Sequence, residues 1–203
     1  MCARYTVVTP TDELIEEFEA TLAVESLAPR FNIAPTDEAP IVVVTREGER
    51  RLGLARFGFI PHWANDARQG VKMRNARVET VATTRAYRDA FATHRCLVVA
   101  DGFYEWERDG KQKIPHRFHL GGKPFGMAGL FSSWRPTPEA PRVGSFTILT
   151  RGAVGAAARI HDRMPILIPR DGYGTWLDRG LRDVGRLSAL LERHRGEELL
   201  DTR

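Results

Sequence analysis

Apolar and polar positions alternate over residues 3–8, which predicts a short strand. The pattern changes at Thr9-Pro10-Thr11-Asp12, which reads as a helix start with Thr9 as the cap, Pro10 at the first helical position and Asp12 in the first turn. Leu14, Ile15, Phe18 and Leu22 then follow at helical spacing. Past a loop over 29–36, the β-branched run 41–45 turns back through Arg46-Glu47-Gly48-Glu49 into a second strand near 50–59. The stretch 61–74 is polar and irregular, with a lone Trp63. A helix is predicted over 79–93, carrying Val81, Tyr87, Ala90 and Phe91, and a buried strand over 96–100. Residues 103–108 and 114–120 form a predicted hairpin, with Asp109-Gly110 supplying its turn. Further strands are expected at 125–133, 143–150 and 165–168, and helices near 152–160, 170–178 and 184–194.

Strands outnumber helices and most connections are hairpin-like, so the expected fold class is α+β. The sequence predicts one domain over 1–203, built on a mostly antiparallel mixed sheet with a barrel-like core flanked by helices, and a flexible tail over about 195–203. No internal repeat and no long Pro/Gly/Ser-rich linker divides it.

Composition narrows the function classes. With 42% hydrophobic and 28% charged residues, the chain has the make-up of an ordinary globular protein. No apolar run approaches the ~20 residues needed to span a bilayer. The start, MCARYTVVTP, lacks a basic segment followed by an apolar one, so a cytoplasmic protein is expected. The two cysteines, Cys2 and Cys96, form no CxxC pair, which argues against a disulfide framework or a cysteine zinc site. A net charge of +4 favours a polyanionic partner only mildly. Nucleotide-binding glycine loops, the GxSxG elbow and HExxH are missing, and His116 and His119 point to opposite faces of a predicted strand. No metal and no cofactor are expected, and a monomer is the default state.

Four short segments carry candidate chemistry. Initiator methionine is trimmed when the next side chain is small, so the mature chain would begin at Cys2 with an amine and a thiol on one carbon. Their reference pKa values, about 7.7–8.0 and about 8.5, leave each a usable deprotonated fraction near neutrality. Such a pair condenses with an aldehyde to an imine, which the thiol closes to a thiazolidine. In Asp101-Gly102-Phe103-Tyr104-Glu105-Trp106-Glu107, strand alternation puts Phe103, Glu105 and Glu107 on one face and Tyr104 and Trp106 on the other. Glu105 thus sits among aromatics, either exposed at an edge or with a raised pKa suited to acid–base work. His161, within Ile160-His161-Asp162-Arg163-Met164-Pro165, can shuttle protons near neutrality, and Arg163 can grip a phosphate. Asn75, in Arg74-Asn75-Ala76-Arg77-Val78-Glu79, sits at a predicted helix start, where capping alone would also account for it. Arg77 and Arg85 are either DNA contacts or ordinary solvated charges.

Taken in order, Met1-Cys2-Ala3-Arg4-Tyr5, Arg30-Phe31-Asn32-Ile33-Ala34-Pro35-Thr36, Asn75-Ala76-Arg77-Val78-Glu79, the segment 100–106 and the segment 160–165 resemble the SRAP family of abasic-site processing proteins. The likeness spans roughly 1–177. It implies a shield for abasic sites in single-stranded DNA, linked covalently through Cys2 after loss of Met1. By analogy Cys2, Asn75, Glu105 and His161 are the catalytic set. Glu105 would assist Schiff-base proton transfers and perform any lyase step; His161 would open the sugar ring and reverse the crosslink; Asn75 would orient the reacting groups. Arg4, Arg77, Trp106, Thr150 and Arg163 match positions that line the DNA path. Two positions depart from the family: Ala3 stands where Gly is usual, and Phe57 where Trp is common. The alternatives are a cysteine-type autopeptidase that removes Met1, and a non-covalent single-stranded DNA-binding module.

Overall fold

The computed structural model describes residues 3–203; the expectations on Met1 and Cys2 lie outside the described residues. The elements in chain order are β1 (Arg4–Val7), α1 (Thr11–Phe18), β2 (Thr21–Leu22), β3 (Arg30–Ile33), β4 (Glu38–Val44), β5 (Arg50–Phe57), β6 (Asn75–Arg77), α2 (Arg88–Thr93) and β7 (Arg95–Ala100). They continue with β8 (Gly102–Asp109), β9 (Gln112–His119), β10 (Phe125–Trp134), β11 (Val143–Gly152), β12 (Arg163–Pro165), β13 (Leu167–Ile168), α3 (Tyr173–Leu177), α4 (Val184–Glu192) and β14 (Leu200–Thr202). The fold class is α+β, as predicted.

Two sheets share the strands. One runs β14-β9-β8-β1-β3, and the other β12-β11-β10-β7-β4-β5-β2. In the second, β5 and β11 also pair in parallel, Arg56 with Ser145 and Phe57 with Phe146, so β11, β10, β7, β4 and β5 close into a five-stranded barrel. Closure leaves no free edge among these five strands. In β7 the apolar run 96–100 is continuous and all six residues, Arg95 included, are buried, the signature of a strand covered on both faces. Phe57 stacks on Phe146 with ring centroids 5.2 Å apart and meets the edge of Tyr5 at 5.6 Å, so it fills the core where the two sheets meet.

Several local expectations change. Thr9 does not cap α1; its hydroxyl and backbone N–H donate instead to Asp101, at 3.0 and 2.9 Å, and Pro10 takes the cap position. The helix predicted over 79–93 shrinks to α2. Ahead of it, the Thr83 and Thr84 hydroxyls both bond the Thr80 carbonyl, a local closure that competes with regular helix. The helix predicted near 152–160 is a single 3-10 turn at Ala157–Arg159. The β8–β9 turn is Gly110-Lys111, one residue later than expected, with Gly110 at φ +57°. The segment 195–203, expected as a flexible tail, contains β14, which pairs with β9 from Leu200–His119 to Thr202–Arg117. Among the described residues no helix is long and apolar enough to cross a membrane.

Candidate functional site

Strand β8 is the site's spine. It pairs with β1, Arg4 opposite Tyr104 and Tyr5 opposite Phe103, and with β9 along its whole length. Strand alternation sends Phe103 and Glu105 inward and leaves Tyr104 and Trp106 half-buried on the other face, as predicted. Asp101, 1% exposed, anchors the junction where β8 leaves β7. It accepts from Thr6 Oγ1 at 2.5 Å, from the N–H groups of Val8 and Thr9, and from Arg117 at 3.1 Å. Burial alone would raise this carboxyl, but those hydrogen bonds outweigh it and hold it below the usual carboxylate range.

Glu105 is 3% exposed. Burial is the largest influence on its carboxyl and pushes it above the usual range, against the opposing pull of His161. Both groups line one surface cleft of about 360 Å³ with Trp106, Arg108 and Lys113. His161 follows a 3-10 turn and is held by its own loop. Its Nδ1 lies 2.9 Å from the Arg163 backbone N–H and 2.8 Å from Asp162 Oδ1. The neutral ring accepts from the amide; the protonated ring donates to the carboxylate. Either state is anchored through Nδ1.

Asn75 is at the start of β6, not at a helix start. Parallel pairing with β11 sets Asn75 beside Ile148 and Arg77 beside Thr150. Neither side-chain amide atom of Asn75 has a hydrogen-bond partner among the described residues, although both are buried. That is unusual for a protein interior and marks a group whose donor and acceptor are uncommitted.

The residues expected on a DNA path divide into two groups. Arg4 donates to the neutral Asn32 at 3.1 Å, Arg77 is exposed, and Trp106 is half-buried beside Tyr104. Thr150 and Arg163, by contrast, are buried. Arg163 forks onto Glu79 at 2.6 and 2.9 Å and donates to the Thr150 carbonyl at 2.6 Å. The Glu79 carboxyl is pulled down by that hydrogen bond. These two residues lock β12 to β11 and to the turn after β6. Arg85 lies over the Trp63 ring, 5.3 Å from its centroid, at a different cavity. Sequence reasoning gave no role to Glu79, although it stands in the same short motif as Asn75, nor to Arg108 and Lys113. The pairing of Arg108 with Lys113 follows from the observed turn at Gly110-Lys111; the turn expected at Asp109-Gly110 would have set Arg108 opposite Lys111.

A family model described as SOS response associated peptidase (SRAP) matches residues 1–202. The chain is 35% identical to the abasic site processing protein YoqW of Bacillus subtilis, over 98% of this chain and 90% of that one. It is 30% identical to the abasic site processing protein HMCES of Xenopus tropicalis, over 75% of this chain and 54% of the longer relative. A crystal structure of a Bordetella bronchiseptica protein shares the fold with a TM-score of 0.84 at 24% identity, covering 99% of this chain and 98% of that one.

Proposed function

The chain belongs to the SOS response associated peptidase (SRAP) family, and on that footing we propose that it processes abasic sites in single-stranded DNA by bonding to them covalently through Cys2. The observation that supports this most is the pairing of Glu105, a buried carboxyl held above its usual range, with His161 in one cleft. Arg4, the first residue of β1, lies across from Tyr104, next in sequence to Glu105. Cys2 precedes Arg4 by two residues, at most about 7 Å of extended chain.

The chemistry balances as a condensation. After removal of Met1, the Cys2 α-amine adds to the C1′ aldehyde of the ring-opened sugar. Glu105, its carboxyl shifted towards the neutral form by burial, gives a proton to the departing oxygen, which leaves as water, and takes back the proton that nitrogen sheds as the imine forms. The Cys2 sulfur adds to the imine carbon as its proton passes to the nitrogen, closing a thiazolidine with net loss of one water. His161 moves the anomeric proton to the ring oxygen as the sugar opens, and Asn75 orients the reacting groups with its uncommitted amide. Arg4, Arg77 and Trp106 bind the strand on either side.

The test uses Met1-free protein and an oligonucleotide with one abasic site. Intact mass of the denatured product is expected to equal protein plus DNA minus one water. Cys2→Ala retains the amine, so it is expected to give only an imine that needs borohydride to survive denaturation. A stable adduct from Cys2→Ala without reductant overturns the ring-closure chemistry.

A further inference from the structure

The β8–β9 hairpin projects two cations that the fold itself does not use. The register places Arg108 directly opposite Lys113, so the two positive side chains leave the same face of the same pair of strands. Like charges at that position destabilise a sheet, and cross-strand pairs of opposite sign are the favoured arrangement. Two other arginines of the region are compensated, Arg117 by Asp101 and Arg163 by Glu79. Among the described residues neither Arg108 nor Lys113 makes an ion pair. The neighbouring Glu107 does not serve them, being bonded to His116 at 3.1 Å and to Arg203 at 3.3 Å.

Position gives the pair a meaning. Arg108 and Lys113 line the cleft that also contains Glu105, Trp106 and His161. Trp106 and Arg108 alternate along one face of β8, about 7 Å apart, with Tyr104 one step further on. The Tyr104 and Trp106 rings are 6.3 Å apart. A face that runs aromatic, aromatic, cation pair is what single-stranded nucleic acid takes: bases rest on the rings and phosphates meet the cations.

We propose that Arg108 and Lys113 form a phosphate clamp that holds the DNA backbone beside the abasic nucleotide, with Trp106 seating an adjacent base. This rests on the proposed function and adds to it the point at which the strand leaves the cleft. The clamp binds and positions the strand and takes no part in bond making.

The double variant Arg108→Gln with Lys113→Gln tests it, assayed with wild-type protein on the same abasic oligonucleotide over a range of salt. Two fewer phosphate contacts on a single strand make the dependence of log affinity on log salt shallower by about 1.4, about 0.7 for each contact. A neutral methylphosphonate walked through the linkages flanking the lesion should weaken wild-type binding at one or two positions and leave the variant indifferent there. The variant's melting temperature is expected to equal or exceed wild type, since a like-charged pair has been removed. Unchanged affinity and salt slope in the variant overturns the clamp, as does a melting temperature several degrees lower. Failure of wild-type protein to crosslink at all overturns the underlying function instead, so the two failures are distinguishable.

Discussion

Burial acts on the two carboxyls of the β8 region in opposite directions, and the difference lies in their partners. Asp101 is surrounded by donors and stays ionised; Glu105 is buried with its carboxyl shifted towards the neutral form. The consequences for stability have opposite signs. Asp101, with a lowered folded pKa, stabilises the fold above the ordinary Asp range, and that contribution is lost as pH falls through the lowered value. Glu105, with a raised folded pKa, is best tolerated below the ordinary Glu range, and stability is lost as pH rises through the raised value. Glu105→Gln removes the second penalty. Its melting temperature is expected to match wild type at acidic pH and to exceed it by a few degrees at neutral pH. A difference that does not change with pH contradicts the burial argument. The same variant should slow crosslinking by about a hundredfold or more, the usual contribution of a general acid.

At the scale of elements, the hairpin β8–β9 carries the site and β14 secures the hairpin. Asp201 of β14 holds His116 Nδ1 at 2.9 Å while Glu107 faces Nε2, so the buried imidazole ties three strands together. Deleting residues 200–203 removes the Asp201 bond and the β14–β9 pairing and uncovers the edge of β9. The cost is expected to be about 2 kcal/mol, two to three net hydrogen bonds with one to a charged group. That corresponds to a fall of about 4–8 °C in a thermal melt; an unchanged melt would show that β14 contributes nothing. The hairpin was legible because period-2 alternation and a glycine turn are both local signals. Asn75 was misread as a helix start because its strand exists only through pairing with β11, more than seventy residues away in sequence. The helix over 79–93 failed for a local reason: three threonines, Thr80, Thr83 and Thr84, fold the backbone into turns that spacing of apolar residues does not reveal.

For the whole molecule, the closing of β11 onto β5 turns an open sheet into a barrel, and the barrel's rim is where β6, β12 and the His161 loop are attached. Fold class followed from strand content and hairpin connections, whereas closure depends on a parallel pairing between distant strands that no periodicity encodes. The site residues were legible as types in short motifs. Their assembly was not: Glu105 and His161 share a cleft only because β8 and the loop before β12 converge, and Arg163 is committed to Glu79 by the same convergence. Charge alone, +4 over 203 residues, would not have located a nucleic-acid surface.

The most direct measurement is mass spectrometry of the tryptic N-terminal peptide after reaction with abasic single-stranded DNA. Cleavage after Arg4 is expected to release Cys2-Ala3-Arg4 carrying the sugar remnant, without Met1 and without an alkylatable thiol. A remnant attached to a lysine elsewhere, or an adduct on a chain that still retains Met1, would contradict the account.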